Sequence, residues 1–95
     1  MLLGQLVLHR EEIVRFAADN RAGNVRVFGS VARGDARADS DVDLLVDARP
    51  DASLFDLGRI AAMVGELLGR RVDVVVASEL KSMIRDTILA EAVPL

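Results

Sequence analysis

The sequence predicts an α+β fold, an α/β two-layer arrangement in which a small mixed sheet carries helices on one face and a group of carboxylates on the other. Three observations predict it. Three short valine-rich stretches follow the two-residue period of strands, and the stretches around them carry apolar residues at helical spacing. The 95 residues, 52% of them apolar, supply one hydrophobic core and no second one. No repeat, linker or low-complexity stretch interrupts the chain, so residues 1–95 are read as a single domain.

The elements follow in order. From Gln5 to Asn20, Leu6, Ile13, Phe16 and Ala17 recur at helical spacing, and Asn20 to Asn24 with Gly23 ends the run. Val25-Arg26-Val27-Phe28 alternates as a short strand and runs into Gly29-Ser30. Val31 to Asp35 is short, begins as a single helical turn and is bounded by Gly34; residues Ala36 to Ser40 form a polar loop. Asp41 to Asp47 is a second strand, closed by a loop containing Pro50. Ser53 with Asp56 three residues on reads as an N-cap, and Leu54, Leu57, Ile60, Ala61, Val64, Leu67 and Leu68 form the stripe of a helix stopped by Gly69. Arg71 to Ala77 is a third strand, and Ser78 to Ala92 a final helix capped by Ser78 and ended before Pro94.

Composition narrows function. Twelve basic against fifteen acidic residues give a net charge of −3, which argues against a chain that holds nucleic acid by neutralising its phosphates. The chain has no Trp or Tyr and only Phe16, Phe28 and Phe55, so stacking platforms for bases are missing too. No apolar run approaches the ~20 residues of a membrane helix. Met1-Leu2-Leu3-Gly4-Gln5 lacks a basic start and a cleavage-like site, and the chain has no cysteine. These features predict an unprocessed, cytoplasmic protein with neither a membrane nor a nucleic acid as its direct partner.

The informative residues are aspartates in strands. Alternation puts Asp41, Asp43 and Leu45 on one face of the second strand and Val42, Leu44 and Val46 on the other. The third strand repeats the arrangement, with Val72, Val74 and Val76 opposite Asp73 and Val75. If the two strands are neighbours, Asp41, Asp43 and Asp73 converge. Aspartate is a poor strand former, and a carboxylate among valines costs several kcal/mol unless it is paired, hydrogen-bonded or metal-bound. A single such residue reads as a turn cap, a partner of Arg26, Arg70 or Arg71, or part of a solvated face. Three on one face call for divalent cations, and hard oxygen donors suit Mg²⁺ or Mn²⁺ completed by water and substrate phosphates. Phe28-Gly29-Ser30-Val31-Ala32-Arg33-Gly34 reads as a strand turning into a short helix. There Gly29 would let a phosphate approach the backbone, Ser30 would add a hydroxyl donor and Arg33 would meet further negative charge.

The combination is more specific than its parts. Gly29-Ser30, ten intervening residues (31–40) and Asp41-Val42-Asp43 resemble the nucleotidyltransferase signature of the DNA polymerase β superfamily. The Ala32-Arg33-Gly34 and Ser40-Asp41-Val42-Asp43-Leu44 details, and the late Arg71-Val72-Asp73-Val74-Val75 strand, resemble the minimal nucleotidyltransferases, or MNT proteins, over nearly the whole chain. The resemblance implies a polymerase-β-like nucleotidyltransferase fold. It implies that Asp41 and Asp43 bind two Mg²⁺ ions, that Gly29 and Ser30 contact the triphosphate of ATP, and that Asp73 completes the metal site and draws the proton from an acceptor hydroxyl. The chemistry implied is attack of that hydroxyl on the α-phosphate with release of pyrophosphate.

Larger relatives carry a helical domain for the acceptor, which this sequence does not contain. MNT proteins are typically antitoxins paired with a HEPN-domain toxin ribonuclease, and some transfer AMP to a toxin tyrosine. The resemblance therefore implies a HEPN toxin as protein partner, in a hetero-oligomer, and AMPylation as the activity. Two alternatives stay open: an antitoxin that neutralises by binding alone, and nucleotidyl transfer to a small molecule such as an aminoglycoside. Elsewhere the readings are structural. His9 is a solvated helix residue, Met63 and Met83 lie on packing stripes, and the last helix presents a broad apolar side through Leu80, Met83, Ile84, Ile88 and Leu89.

Overall fold

The computed structural model describes residues 2–95. Its elements are α1 (Leu2–Leu8), α2 (Arg10–Asp19), β1 (Ala22–Phe28), α3 (Gly29–Arg33), β2 (Val42–Ala48), α4 (Leu54–Leu68), β3 (Val72–Val76), a 3₁₀ turn (Ala77–Glu79), α5 (Ser82–Glu91) and β4 (Val93–Pro94). The sheet is mixed, in the order β3-β2-β1-β4. β1 runs antiparallel to β2 and to β4, while β2 and β3 are parallel and joined through α4. The neighbourhood of the two aspartate-bearing strands, assumed from the sequence, is therefore real.

The aliphatic face forms the core. Val42, Leu44 and Val46 of β2 and Val27 of β1 have no exposed surface, nor do Ile13, Ala17, Ile60 and Val64 from α2 and α4 above them. Each buried valine, leucine or isoleucine among these contributes about 1.5–3 kcal/mol of transfer free energy, so the stripe positions decide which way the helices face. The α4 start is a complete capping box: the Ser53 side chain accepts from the Asp56 N–H, and Asp56 accepts from the Ser53 N–H. Leu54, read as part of the α4 stripe, is exposed instead, at the first position of the helix.

The predicted first helix is two helices. His9 adopts φ −99° and ψ 16°, and its carbonyl accepts from the Ile13 N–H to start α2. The break lets Leu6 of α1 pack on the α3 side while α2 packs on β1 and α4. One straight rod cannot cover both places. His9 is thus the junction between helices, with Nδ1 3.2 Å from Glu12 Oε1.

β1 begins at Ala22, three residues before the predicted start, because Asn20 to Asn24 is not wholly a turn. Asn24 takes φ +48° inside the strand, and the register with β2 shifts between Gly23 and Arg26, which is a bulge. Asp47 holds it by accepting from Asn24 Nδ2 at 2.9 Å and from Arg26 Nη2 at 2.8 Å.

The C-terminal segment differs most. Ser78 caps nothing: the chain makes a 3₁₀ turn and then extends through Leu80 and Lys81 before α5 starts at Ser82. Leu80 must bury itself, and the helix waits until that is done. No α5 residue is buried, and Met83, read as a packing residue, is 91% exposed. α5 packs against α3 and β1. After it, Val93 and Pro94 pair with Val27 and Arg26, and the Leu95 N–H donates to the Val25 carbonyl. A two-residue strand carries no periodic signal, and proline is tolerated there because it lies on the sheet edge.

Candidate active site

The polar face is assembled by register. β2 and β3 pair Asp43 with Asp73 in parallel register, and β1 pairs Phe28 with Asp43, so the residue after Phe28 arrives beside the same carboxylate. That residue is Gly29. It has φ +73°, and a Cβ built on it would collide with Asp43 Oδ2 and stand 3.4 Å from Asp43 Cγ. Glycine meets both demands, the left-handed backbone and the close approach, without strain. α3 follows at once, with Phe28 extended as its N-cap, Val31 pinned in the core and Gly34 at φ +81° ending it. Ser30 is half-buried at the head of this turn.

Asp41 lies just outside β2, and Asp73 is exposed. The Val42 N–H donates to the Arg71 carbonyl at 2.9 Å, tying the strand start to β3. The loop before Asp41 is clamped by one guanidinium nitrogen: Arg70 Nη1 donates to the carbonyls of Arg37 (3.2 Å), Ala38 (2.9 Å) and Ser40 (3.3 Å). Arg70 was expected to pair with an acid and holds backbone instead, because the loop brings three carbonyls that lack strand partners. Arg26, another expected partner for the acids, is bound to Asp47 at the far end of β2. Beside Asp41 opens a depression of about 290 Å³ lined by Asp39, Ser40, Gly69 and the two arginines Arg70 and Arg71.

Electrostatics tie the group together. Burial pushes the Asp43 carboxyl above the usual carboxylate range, and the charges of Asp73 and then Asp41 push it further, against a smaller opposing pull from Arg33. Asp43 therefore feels both predicted companions. Among the described residues, no three carboxylate or imidazole groups stand close enough together to cage an ion unaided. The donor set is open, and a hard divalent cation that takes one or two carboxylates and completes its shell with water and phosphate is the ligand it fits.

One residue of this site was not singled out from the sequence. Glu91, at the end of α5, accepts from the Gly29 N–H through Oε1 at 3.0 Å and from Arg33 Nη1 through Oε2 at 3.3 Å. Arg33 also pairs with Asp35 at 3.4 Å, and these two acids hold its guanidinium still more firmly protonated. Glu91 is 62 positions from Gly29, and only the return of α5 and β4 to β1 makes the contact. Among the described residues, no helix is long and apolar enough to cross a membrane.

Comparison with known proteins agrees with this fold. Residues 10–95 match the model of the nucleotidyltransferase domain family. A relative from Thermococcus cleftensis, the protein adenylyltransferase MntA, is 43% identical over 89 residues, which cover 93% of this chain and 86% of that protein. A solved structure described as a minimal nucleotidyltransferase superposes with a TM-score of 0.88 at 45% identity, covering 100% of this chain and 97% of the other. A toxin–antitoxin structure solved with AMP-PNP shares the fold, with a TM-score of 0.74 at 20% identity over 88% of this chain and 69% of that one. With its glycine–serine turn set against the aspartates of a mixed sheet, the chain belongs to the nucleotidyltransferase domain family and is an enzyme of the minimal nucleotidyltransferase type.

Proposed function

We propose that this enzyme is a Mg²⁺-dependent protein adenylyltransferase of an MntA-like antitoxin, which moves AMP from ATP to a hydroxyl, a tyrosine, of a HEPN-domain toxin in the cytoplasm and so silences it. The observation that carries this reading is the register that sets Asp43 beside Asp73 in adjacent parallel strands, with Gly29 packed against Asp43. The adenylyltransferase name of the 43% identical relative supports the reaction type, and the shared fold of a toxin–antitoxin structure supports the partner.

Each residue then has a role. Asp41, Asp43 and Asp73 would hold the divalent cations; when bound, these neutralise the triphosphate and stabilise the attacking and leaving oxygens of an in-line displacement. The Gly29 N–H, the Ser30 hydroxyl and the Arg33 guanidinium would orient the β- and γ-phosphates, leaving the α-phosphate presented to the acceptor. Asp73, the exposed member, faces solvent from which an acceptor arrives, and would take the proton as the acceptor oxygen bonds to phosphorus and the bond to pyrophosphate breaks. The tyrosine must come from the partner, since this chain contains none.

The test is intact mass of the HEPN partner after incubation with this enzyme, ATP and Mg²⁺. The reading expects a gain of one or more adenylyl units that disappears in the Asp43→Ala variant. A toxin neutralised with its mass unchanged would establish binding alone as the mechanism, and modification of an aminoglycoside with none of the toxin would establish a small-molecule acceptor.

A further inference from the structure

Glu91 engages the same two donors that the proposed function assigns to phosphate. One oxygen sits on the Gly29 N–H and the other on Arg33, so a single carboxylate bridges backbone and guanidinium in the way a phosphate with two free oxygens would. Its charge also falls on Asp43, adding to a site already rich in carboxylates. The helix that carries it is lightly held. None of the ten α5 residues is buried, the chain is extended at Leu80 and Lys81 before the helix and at Ala92 after it, and β4 secures the far end through two residue pairs. The Glu91 side chain itself retains 22% exposure. A carboxylate in such a place can leave without opening the core.

We propose that Glu91 sets nucleotide affinity by occupying the phosphate donors of the Gly29–Ser30 turn, so that a nucleoside triphosphate binds only by displacing it. This rests on the reading of that turn as the triphosphate site. The carboxylate and the triphosphate exclude each other twice, by sharing donors and by repelling as anions. The free enzyme is thereby divided between a closed form, with Glu91 on the turn, and an open form that accepts nucleotide. Apparent affinity falls by the fraction open: a turn closed nine times in ten weakens binding about tenfold.

Titration calorimetry of ATP with Mg²⁺ on the wild type and the Glu91→Gln, Glu91→Ala and Asp86→Asn variants tests this. Glu91→Ala removes both contacts and is expected to bind about tenfold more tightly; Glu91→Gln keeps one acceptor for Gly29 without the charge and falls between. Asp86 is exposed on the same helix, and its neutralisation is expected to leave affinity unchanged. Because the competition is for phosphate donors, the same order is expected for ATP in EDTA. Thermal melts of each variant, together with the Gly29 amide resonance moving on loss of Glu91, show that the fold persists and the contact is gone. Wild-type binding with equal or weaker binding by folded Glu91→Ala overturns the inference and makes Glu91 an organiser of the turn. Equal tightening by Asp86→Asn overturns it in favour of bulk charge. ATP binding by none of the four proteins overturns the triphosphate reading itself, and the inference with it.

Discussion

Replacing Gly29 by alanine tests the tightest contact in the site, and its cost has two separable parts. A φ of +73° is strained for any residue with a Cβ, by about 1–2 kcal/mol. The new methyl also overlaps Asp43 Oδ2, so the aspartate must leave its rotamer at a further cost of about 0.5–1.5 kcal/mol. The sum, roughly 1.5–3.5 kcal/mol, lowers the melting temperature of a domain this size by about 6–28 °C. Gly34 isolates the first part: it has φ +81° with nothing within 4 Å of a built Cβ, so Gly34→Ala is expected to lose about 1–2 kcal/mol and keep activity. The second part is read from a double-mutant cycle. In Gly29→Ala combined with Asp43→Ala the collision is absent, and a coupling of about 0.5–1.5 kcal/mol lies at or above the ~0.3–0.5 kcal/mol scatter of independent sites. Urea denaturation of the wild type, the three cycle variants and Gly34→Ala supplies the free energies, and nucleotidyl transfer by Gly29→Ala is expected to be lost because Asp43 is displaced. Equal losses for Gly29→Ala and Gly34→Ala with no coupling, or full activity in Gly29→Ala, would refute the reasoning.

Three further outcomes are expected. Asp43→Asn should abolish transfer yet stabilise the free enzyme: the folded carboxyl titrates above its unfolded value, so native stability declines as pH rises through the folded pKa. Melting temperatures should therefore favour the variant at pH 7 and converge at pH 3. Asp56 works in the opposite sense. Hydrogen bonding from the Ser53 N–H, then Arg59, with the nearby charge of Arg21, lowers its pKa; its contribution is whole above the unfolded value of about 3.9 and is lost as pH falls through the folded one. Acid titration of Asp56→Asn should show a protein already weakened at pH 7 and less sensitive below pH 4, whereas an unchanged acid limb would contradict this. Arg70→Ala should release the loop that delivers Asp41 and lower kcat more than it raises KM for ATP, since its contacts are to the backbone of that loop and not to the Gly29–Ser30 turn; an effect on stability alone would deny it a positioning role.

Much of this was legible because the sequence repeats one signal at two levels. Asp41-Val42-Asp43 and Val72-Asp73-Val74 obey strand alternation while breaking strand composition, and a carboxylate kept in a valine run marks a face that is not core. The α4 cap and stop were equally readable, since Ser53, Asp56 and Gly69 act locally. What escaped depends on contacts distant in sequence. The kink at His9 answers to two packing surfaces that only the finished sheet defines. The bulge at Asn24 is held by Asp47, 23 positions away. Ser78 looks like a helix cap locally, but the chain makes a 3₁₀ turn there and buries Leu80 before the helix begins. Arg70 as a clamp on carbonyls and Glu91 on the Gly29–Ser30 turn were invisible for the same reason: each side chain is ordinary, and its partners are brought near only by the fold.

Manganese binding measured by electron paramagnetic resonance, with AMP-PNP present, addresses most directly whether one cation centre draws on both strands. Single asparagine replacements at Asp41, Asp43 and Asp73 should each weaken Mn²⁺ retention while leaving the melting temperature equal to or above that of the wild type. Retention by Asp73→Asn indistinguishable from the unsubstituted protein would mean that β3 contributes nothing to the centre, and the two-strand site would have to be abandoned.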